Sequence, residues 1–170
     1  MEAWVADLYR ERLQTILEDG EFVLYRQRDP TDTPSPTRSL LVVIPRSEHP
    51  RPQAVRMLEH EHALRGDLDP AWALRPVALT TLEGRPALVL EDPGGELILQ
   101  RAGRPMDVAD VLRVGAGVAA ALRQLHGCGL IHKDIKPANV MTDWGTGRVW
   151  LRGFGIASRL PRERRLPEPP

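Results

Sequence analysis

The chain has 170 residues, 42% hydrophobic and 27% charged, enough for one modest domain with its own core and far from the apolar-poor composition of a disordered chain. Its 23 basic and 23 acidic residues give a formal charge of zero, so no excess charge draws it to a nucleic-acid backbone or an anionic membrane. The lone cysteine, Cys128, excludes an intrachain disulfide, no apolar run approaches the ~20 residues of a membrane span, and the start Met1-Glu2-Ala3-Trp4 lacks a secretory pattern, so the chain reads as cytoplasmic and not membrane-inserted.

Trp4, Val5, Leu8 and Tyr9 fall at helical spacing and, with Leu13 and Ile16, read as a packing face rather than a membrane or partner helix. Residues 13–17 predict a strand that pairs with a second at residues 21–27 across Glu18-Asp19-Gly20. Residues 29–38, rich in Pro, Ser and Thr, predict an exposed connector to a third strand at 39–44, because proline cannot donate within a sheet. Pro52 suits the first turn of a helix over 52–68 carrying Val55, Leu58, Ala63 and Leu64. Strands are predicted at 72–80 and 86–90, joined by residues 81–85 with Gly84 free to take positive φ.

Asp92-Pro93-Gly94-Gly95 then breaks the pattern. The clearest helix spans 107–126, with Val108, Val111, Leu112, Gly115, Val118, Ala119, Leu122 and Leu125 forming one apolar face and Gly127-Cys128-Gly129 as the stop. Short extended segments follow at 130–131, 139–141 and 148–151. The Pro- and charge-rich residues 160–170 predict a flexible tail.

The motif that carries chemistry is Ile131-His132-Lys133-Asp134-Ile135-Lys136-Pro137-Ala138-Asn139-Val140. His-x-Asp-x-Lys-x-x-Asn between apolar residues resembles the catalytic loop of protein kinases, and Lys followed by Pro is similar to the serine/threonine branch. The resemblance implies Asp134 and Lys136 as catalytic residues, acting on the substrate hydroxyl and the moving phosphoryl group, and Asn139 as a ligand of magnesium and cofactor. It extends to Leu90-Glu91-Asp92-Pro93-Gly94-Gly95, similar to the hinge that receives adenine, which makes Glu91 a cofactor-binding candidate. It extends also to Glu61-His62-Ala63-Leu64, similar to the small-lobe helix with its ion-pairing glutamate; Glu61 is the candidate and Glu59 the alternative. Gly20 stands where a glycine-rich phosphate loop is expected. ATP and Mg2+ are the implied cofactors.

Departures from the pattern imply a weakened enzyme. Asp-Phe-Gly has become Gly153-Phe154-Gly155, removing the principal metal carboxylate, and Val42-Val43-Ile44-Pro45 puts proline where the phosphate-pairing lysine belongs. The only lysines are Lys133 and Lys136, and Arg46 is a poor substitute for an ammonium on a flexible stem. Glu18, Asp19 and Glu21 put negative charge where a triphosphate would lie.

The expected fold is thus α+β, a protein-kinase-like two-lobe arrangement truncated in its helical large lobe: a small-lobe-like sheet and helix over 12–90, a hinge over 91–95, a partial large lobe over 96–160 and a tail over 161–170. The whole arrangement resembles the amino-terminal domain of large bacterial hybrid kinase/ATPase/sensor proteins. It implies a signalling role with a protein partner or downstream modules, and phosphoryl transfer that is weak or absent. An active serine/threonine kinase in a longer context, or a small-molecule phosphotransferase, are the alternatives. His132 reads as a structural residue packing near Phe154 and bonding to backbone, and Cys128 as incidental.

Overall fold

The computed structural model describes residues 13–27 and 39–160. The amphipathic stretch near Trp4, the connector over 29–38 and the tail over 161–170 lie outside the described residues.

A five-stranded antiparallel sheet comes first, from β1 (Leu13–Glu18), β2 (Phe22–Gln27), β3 (Leu40–Pro45), β4 (Pro76–Leu82) and β5 (Arg85–Glu91), in the order β1-β2-β3-β5-β4. The central strand β3, LLVVIP, is buried along its whole length, as expected of an apolar run covered on both faces. One face packs on α1 (Pro52–Ala63) through Leu41, Val43, Leu58, Leu88 and Leu90; Leu40, Val42, Ile44, Ala87 and Val89 form a cluster with Tyr25 and Val77 on the other.

A smaller helical portion follows, built on α2 (Val108–Gly127). β6 (Glu96–Leu97), β8 (Val140–Thr142) and β9 (Val149–Leu151) form a three-stranded sheet, and β7 (Leu130–Ile131) pairs with β10 (Ser158–Arg159). The result is an α+β fold with a β-rich lobe and a small helical portion. Leu97, Met141 and Trp150 join the core beneath the large sheet, so the two portions share packed side chains.

Several boundaries differ from those expected. The helix predicted over 52–68 ends at Ala63 and tightens into a 3-10 turn over Leu64–Gly66, where Leu64 and Leu68 both turn inward. Residues 72–75 are not part of the strand: the Asp69 carboxylate accepts from Ala71 N–H at 2.8 Å and its carbonyl from Ala73 N–H at 2.9 Å, so the chain turns before β4 begins. The hairpin turn is tighter than predicted. Glu83 and Gly84, at φ 50° and 76°, close it as a two-residue turn with both central residues left-handed, and Leu82 pairs with Arg85.

The face of α2 is also rotated. Val114, Ala121 and Leu125 are buried and Val118 and Leu122 pack beside them, whereas Val108, Val111 and Leu112 are exposed. Gly117 fits this orientation: a Cβ there would lie 2.5 Å from Val149 Cγ2, so its glycine permits the close approach of α2 to β9.

Leu41 lies in the centre of the sheet with no exposed surface. Leu41→Ala is expected to destabilise the fold by about 2–5 kcal/mol, read from the midpoint of chemical denaturation at unchanged m-value.

Candidate functional site

Between the large sheet and the small helical portion lies a cavity of about 330 Å³. The β1–β2 turn (Asp19, Gly20, Glu21, Phe22), Val43, α1 (Met57, Leu58, Glu61), the 134–139 loop and residues 152–156 surround it. Of the residues singled out from the sequence, Gly20, Glu61, Asp134, Lys136, Asn139 and Gly153 meet there; Glu91 and Pro45 are not among its lining.

The 132–139 loop is built around a buried histidine. Burial lowers the pKa of His132, favouring the neutral ring. Asp134 N–H donates to Nδ1 at 3.2 Å, so the ring proton sits on Nε2 and is donated to the Arg152 carbonyl at 2.9 Å. The ring also packs on Phe154 at 4.6 Å between centroids, which makes His132 a structural residue as its sequence context suggested. Lys133 turns the chain at φ +71°, a left-handed conformation unusual for a side-chain-bearing residue. Beyond it, the Asp134 carboxylate meets Lys136 Nζ at 2.8 Å, and Asn139 Nδ2 donates to both the carbonyl and the Oδ2 of Asp134, each at 2.8 Å. Pro137 opens the short 3-10 turn that returns Asn139 to this position.

Gly153 faces Asn139 directly. Its φ is +79°, and a Cβ built on it would lie 2.8 Å from Asn139 Oδ1. The asparagine amide therefore occupies space that a side chain at position 153 would need. Gly155 is held as closely by α1, with a Cβ there reaching 2.9 Å from Met57 Cβ.

From α1, Glu61 reaches across the cavity. It is 5% exposed, and its Oε1 accepts from Gly153 N–H at 3.2 Å, with Phe154 N–H also favouring the carboxylate; Glu59, one turn-face away, is exposed. Burial pushes the Glu61 carboxyl above its ordinary value, and the Arg152 charge is the largest opposing effect. Arg152 is the cation that sequence reasoning missed. It is 6% exposed, donates from Nη1 to the Ala138 carbonyl at 2.9 Å, and is lowered by burial while Glu61, Asp19 and Asp134 favour its charge. A guanidinium starts so high that it stays protonated. The available signal was a charged residue directly after the buried strand Val149-Trp150-Leu151.

The β1–β2 turn is closed by its own aspartate, whose Oδ1 accepts from Glu21 N–H at 2.9 Å and Phe22 N–H at 2.7 Å. Pro45, buried at the end of β3, gives its carbonyl to Arg85 Nη1 at 3.1 Å, while Arg46 pairs outward with Glu18 at 3.0 Å. In residues 91–94 the backbone donors are already used. Glu91 N–H donates to the Arg75 carbonyl at 3.0 Å, Asp92 N–H to the Ser39 carbonyl at 3.2 Å and Gly94 N–H to Asp92 Oδ1 at 2.9 Å, while Pro93 has none. The Glu91 side chain pairs with Arg75 Nη2 at 2.5 Å, and Asp92 binds Arg26 Nε and Ser39 Oγ at 2.6 Å each.

The cavity thus presents the carboxylates of Asp19, Glu21, Glu61 and Asp134 against the cations of Lys136 and Arg152. The donor set does not fit magnesium carrying a polyphosphate. Gly153 offers no carboxylate, the Asp134 carboxylate is engaged by Lys136 and Asn139, and no cluster of three or more acidic, His or Cys side chains is arranged around a metal position among the described residues.

Comparison with known proteins connects this arrangement to the protein kinase domain family, whose profile matches residues 85–168. The serine/threonine-protein kinase AfsK of Streptomyces coelicolor is 43% identical over 72 residues, 42% of this chain and 9% of its own length. The serine/threonine-protein kinase PknK of Mycobacterium tuberculosis is 31% identical over 157 residues, 86% of this chain and 13% of its own. PknA of the same species is 39% identical over 82 residues, 46% of this chain and 19% of its own length. The chain therefore spans 9% to 13% of AfsK and PknK.

Glu61 generates a pH prediction. Because its carboxyl is raised in the folded chain, its contribution to stability is fully present below the ordinary value of 4.5 and is lost as pH rises through the folded value. The denaturation midpoint of the unaltered chain, relative to that of Glu61→Gln, is expected to fall as pH is raised from 4 towards neutrality, because the glutamine cannot ionise. A difference that stays constant with pH would contradict it.

Proposed function

We propose that this chain, a serine/threonine protein-kinase-like domain homologous to bacterial kinases, transfers phosphate from ATP feebly or not at all and works in signalling through binding. The observation that carries the reading is the joint loss at positions 45 and 153. Pro45 supplies no ammonium for the phosphates and Gly153 no carboxylate for magnesium, while the Asn139 amide lies against Gly153 and is committed to Asp134. The acidic β1–β2 turn, whose Glu21 and Phe22 amides already serve Asp19, and the engaged N–H groups of Glu91, Asp92 and Gly94 support it further.

ATP with Mg2+ would supply the transferable phosphoryl group in an intact domain of this kind. In this chain the retained residues hold one another instead: Lys136 neutralises Asp134 and Asn139 fixes it. We read the domain as a regulatory or interaction module of a cytoplasmic signalling protein, its output passing to a protein partner or to attached modules as in the hybrid kinase/ATPase/sensor proteins it resembles. No helix among the described residues is long and apolar enough to cross a membrane.

A second reading, an active serine/threonine kinase in a longer protein, is favoured by the complete Asp134, Lys136 and Asn139 set. There Asp134 orients the substrate hydroxyl and takes its proton, and Lys136 meets the transferring phosphoryl group.

The two readings separate in a transfer assay with γ-labelled ATP and magnesium, measuring autophosphorylation and label on a general protein substrate. The proposal expects no incorporation above the level of Asp134→Asn. Incorporation that Asp134→Asn abolishes, a loss of the order of a hundredfold or more, establishes the second reading.

A further inference from the structure

Polar contacts join the large sheet to the small helical portion on two separated sides. Just before β4, Leu74 N–H donates to the Leu151 carbonyl at 2.8 Å, Leu151 N–H returns to the Trp72 carbonyl at 2.9 Å, and Trp150 Nε1 donates to the Pro70 carbonyl at 3.0 Å. The Glu61 and His60 contacts of α1 belong to this side, because α1 lies against β4 and β5. On the other side Arg26 of β2 makes a fork. Its Nε and Nη2 donate to the two Asp92 carboxylate oxygens at 2.6 and 3.0 Å, and Nη2 also donates to the Gly95 carbonyl at 2.7 Å.

The acceptors of this fork are themselves held firmly. The Asp92 side chain is 1% exposed and also accepts from Ser39 Oγ at 2.6 Å and Gly94 N–H at 2.9 Å. Gly95 is wedged onto the helical portion, since a Cβ there would lie 2.9 Å from both Met141 Cγ and the Thr142 carbonyl oxygen of β8. A forked guanidinium–carboxylate pair fixes direction as well as distance. In the order β1-β2-β3-β5-β4, three strand spacings of ~4.8 Å put β2 about 14 Å from β4. A single joint beside β4 leaves the sheet free to swing about it, and a second joint that far away removes the swing. The apolar core shared between the two sides is non-directional and does not set the angle.

We propose that Arg26 is a latch that positions the β1–β2 hairpin over the cavity, and that its release lets the sheet swing about the Leu74–Leu151 joint and open the cavity on the hairpin side. The residues that move most are those of the β1–β2 turn, Asp19 to Phe22, which line the cavity from the latched side. Arg26 keeps 28% of its side chain exposed, so the latch can be undone from the surface while the core stays packed. It acts whatever the cavity holds, and it does not rest on the loss of phosphoryl transfer.

The test is double electron–electron resonance on the full 170-residue chain, with Cys128→Ser removing the exposed native thiol and spin labels placed in pairs. One pair, Thr15→Cys with Arg123→Cys, measures β1 against α2; the other, Thr81→Cys with Arg123→Cys, measures β4 against α2. All three labelled positions are exposed. With Arg26 intact, both pairs are expected to give a single narrow distance. Arg26→Met is expected to add a longer-distance population to the Thr15 pair and to leave the Thr81 pair unchanged. Arg26→Lys keeps a charge for Asp92 but not the fork; it is expected to add a smaller longer-distance population, and it decides the matter if Arg26→Met does not fold. An unchanged Thr15 distance in the folded Arg26 variants overturns the proposal, as does equal broadening of both pairs, which is what a general loosening of the fold produces. No nucleotide or metal enters the measurement, so its failure leaves the reading of a weak or inactive kinase-like domain intact. Asp134-dependent phosphoryl transfer, in contrast, would overturn that reading without touching the latch.

Discussion

The buried carboxylate of Glu61 is the point on which the two portions of the molecule agree. It leaves α1, crosses to the Gly153–Phe154 backbone and accepts N–H bonds there, so the helix on the large sheet is fixed relative to the loop beneath it. A carboxylate in such a place needs a compensating charge, because desolvation alone drives it towards the neutral form. Pro45 cannot provide one, and the Arg152 charge at the neighbouring strand end opposes the effect of burial without overcoming it. His60 adds a second tie from the same helix, its Nε2 lying 2.8 Å from the Ala157 carbonyl. These contacts tie α1 to residues 153–157.

The remaining changes around the cavity follow the same logic. Polar groups around it are engaged by neighbours within the chain. The Asn139 amide stands against Gly153, Asp19 caps the amides of the β1–β2 turn, and Arg75, Ser39 and Asp92 satisfy the backbone of residues 91–94. Together they describe a cleft whose polar groups are largely satisfied from within, with Arg152 Nε as the buried exception on its wall.

Local chemistry made much of this legible in the sequence. The β1–β2 hairpin, the Pro-initiated helix and the His132–Asn139 loop are each dictated by residues close together in the chain: Gly20, Pro52, and the spacing of His132, Asp134 and Asn139. What could not be read depends on meetings between distant segments. Arg152 looks like an isolated charge until α1 brings Glu61 to it, and Asp92 looks like a turn residue until Arg26 and Ser39 arrive from β2 and the start of β3. The Glu91 side chain, in the segment that resembles an adenine-receiving hinge, meets Arg75 from the loop before β4. The apolar positions of α2 mixed two stripes; the one that packs carries Val114, Ala121 and Leu125, with Gly117 against Val149.

The central claim, that the metal-dependent nucleotide machinery has been replaced by internal contacts, is tested most directly by calorimetric titration of ATP into the folded chain with and without magnesium, beside the Asn139→Ala variant. The account predicts that any heat of binding is unchanged by magnesium and by loss of the asparagine amide. Binding that requires magnesium and disappears in Asn139→Ala would contradict it, and would show that Asn139 leaves Asp134 to hold a metal.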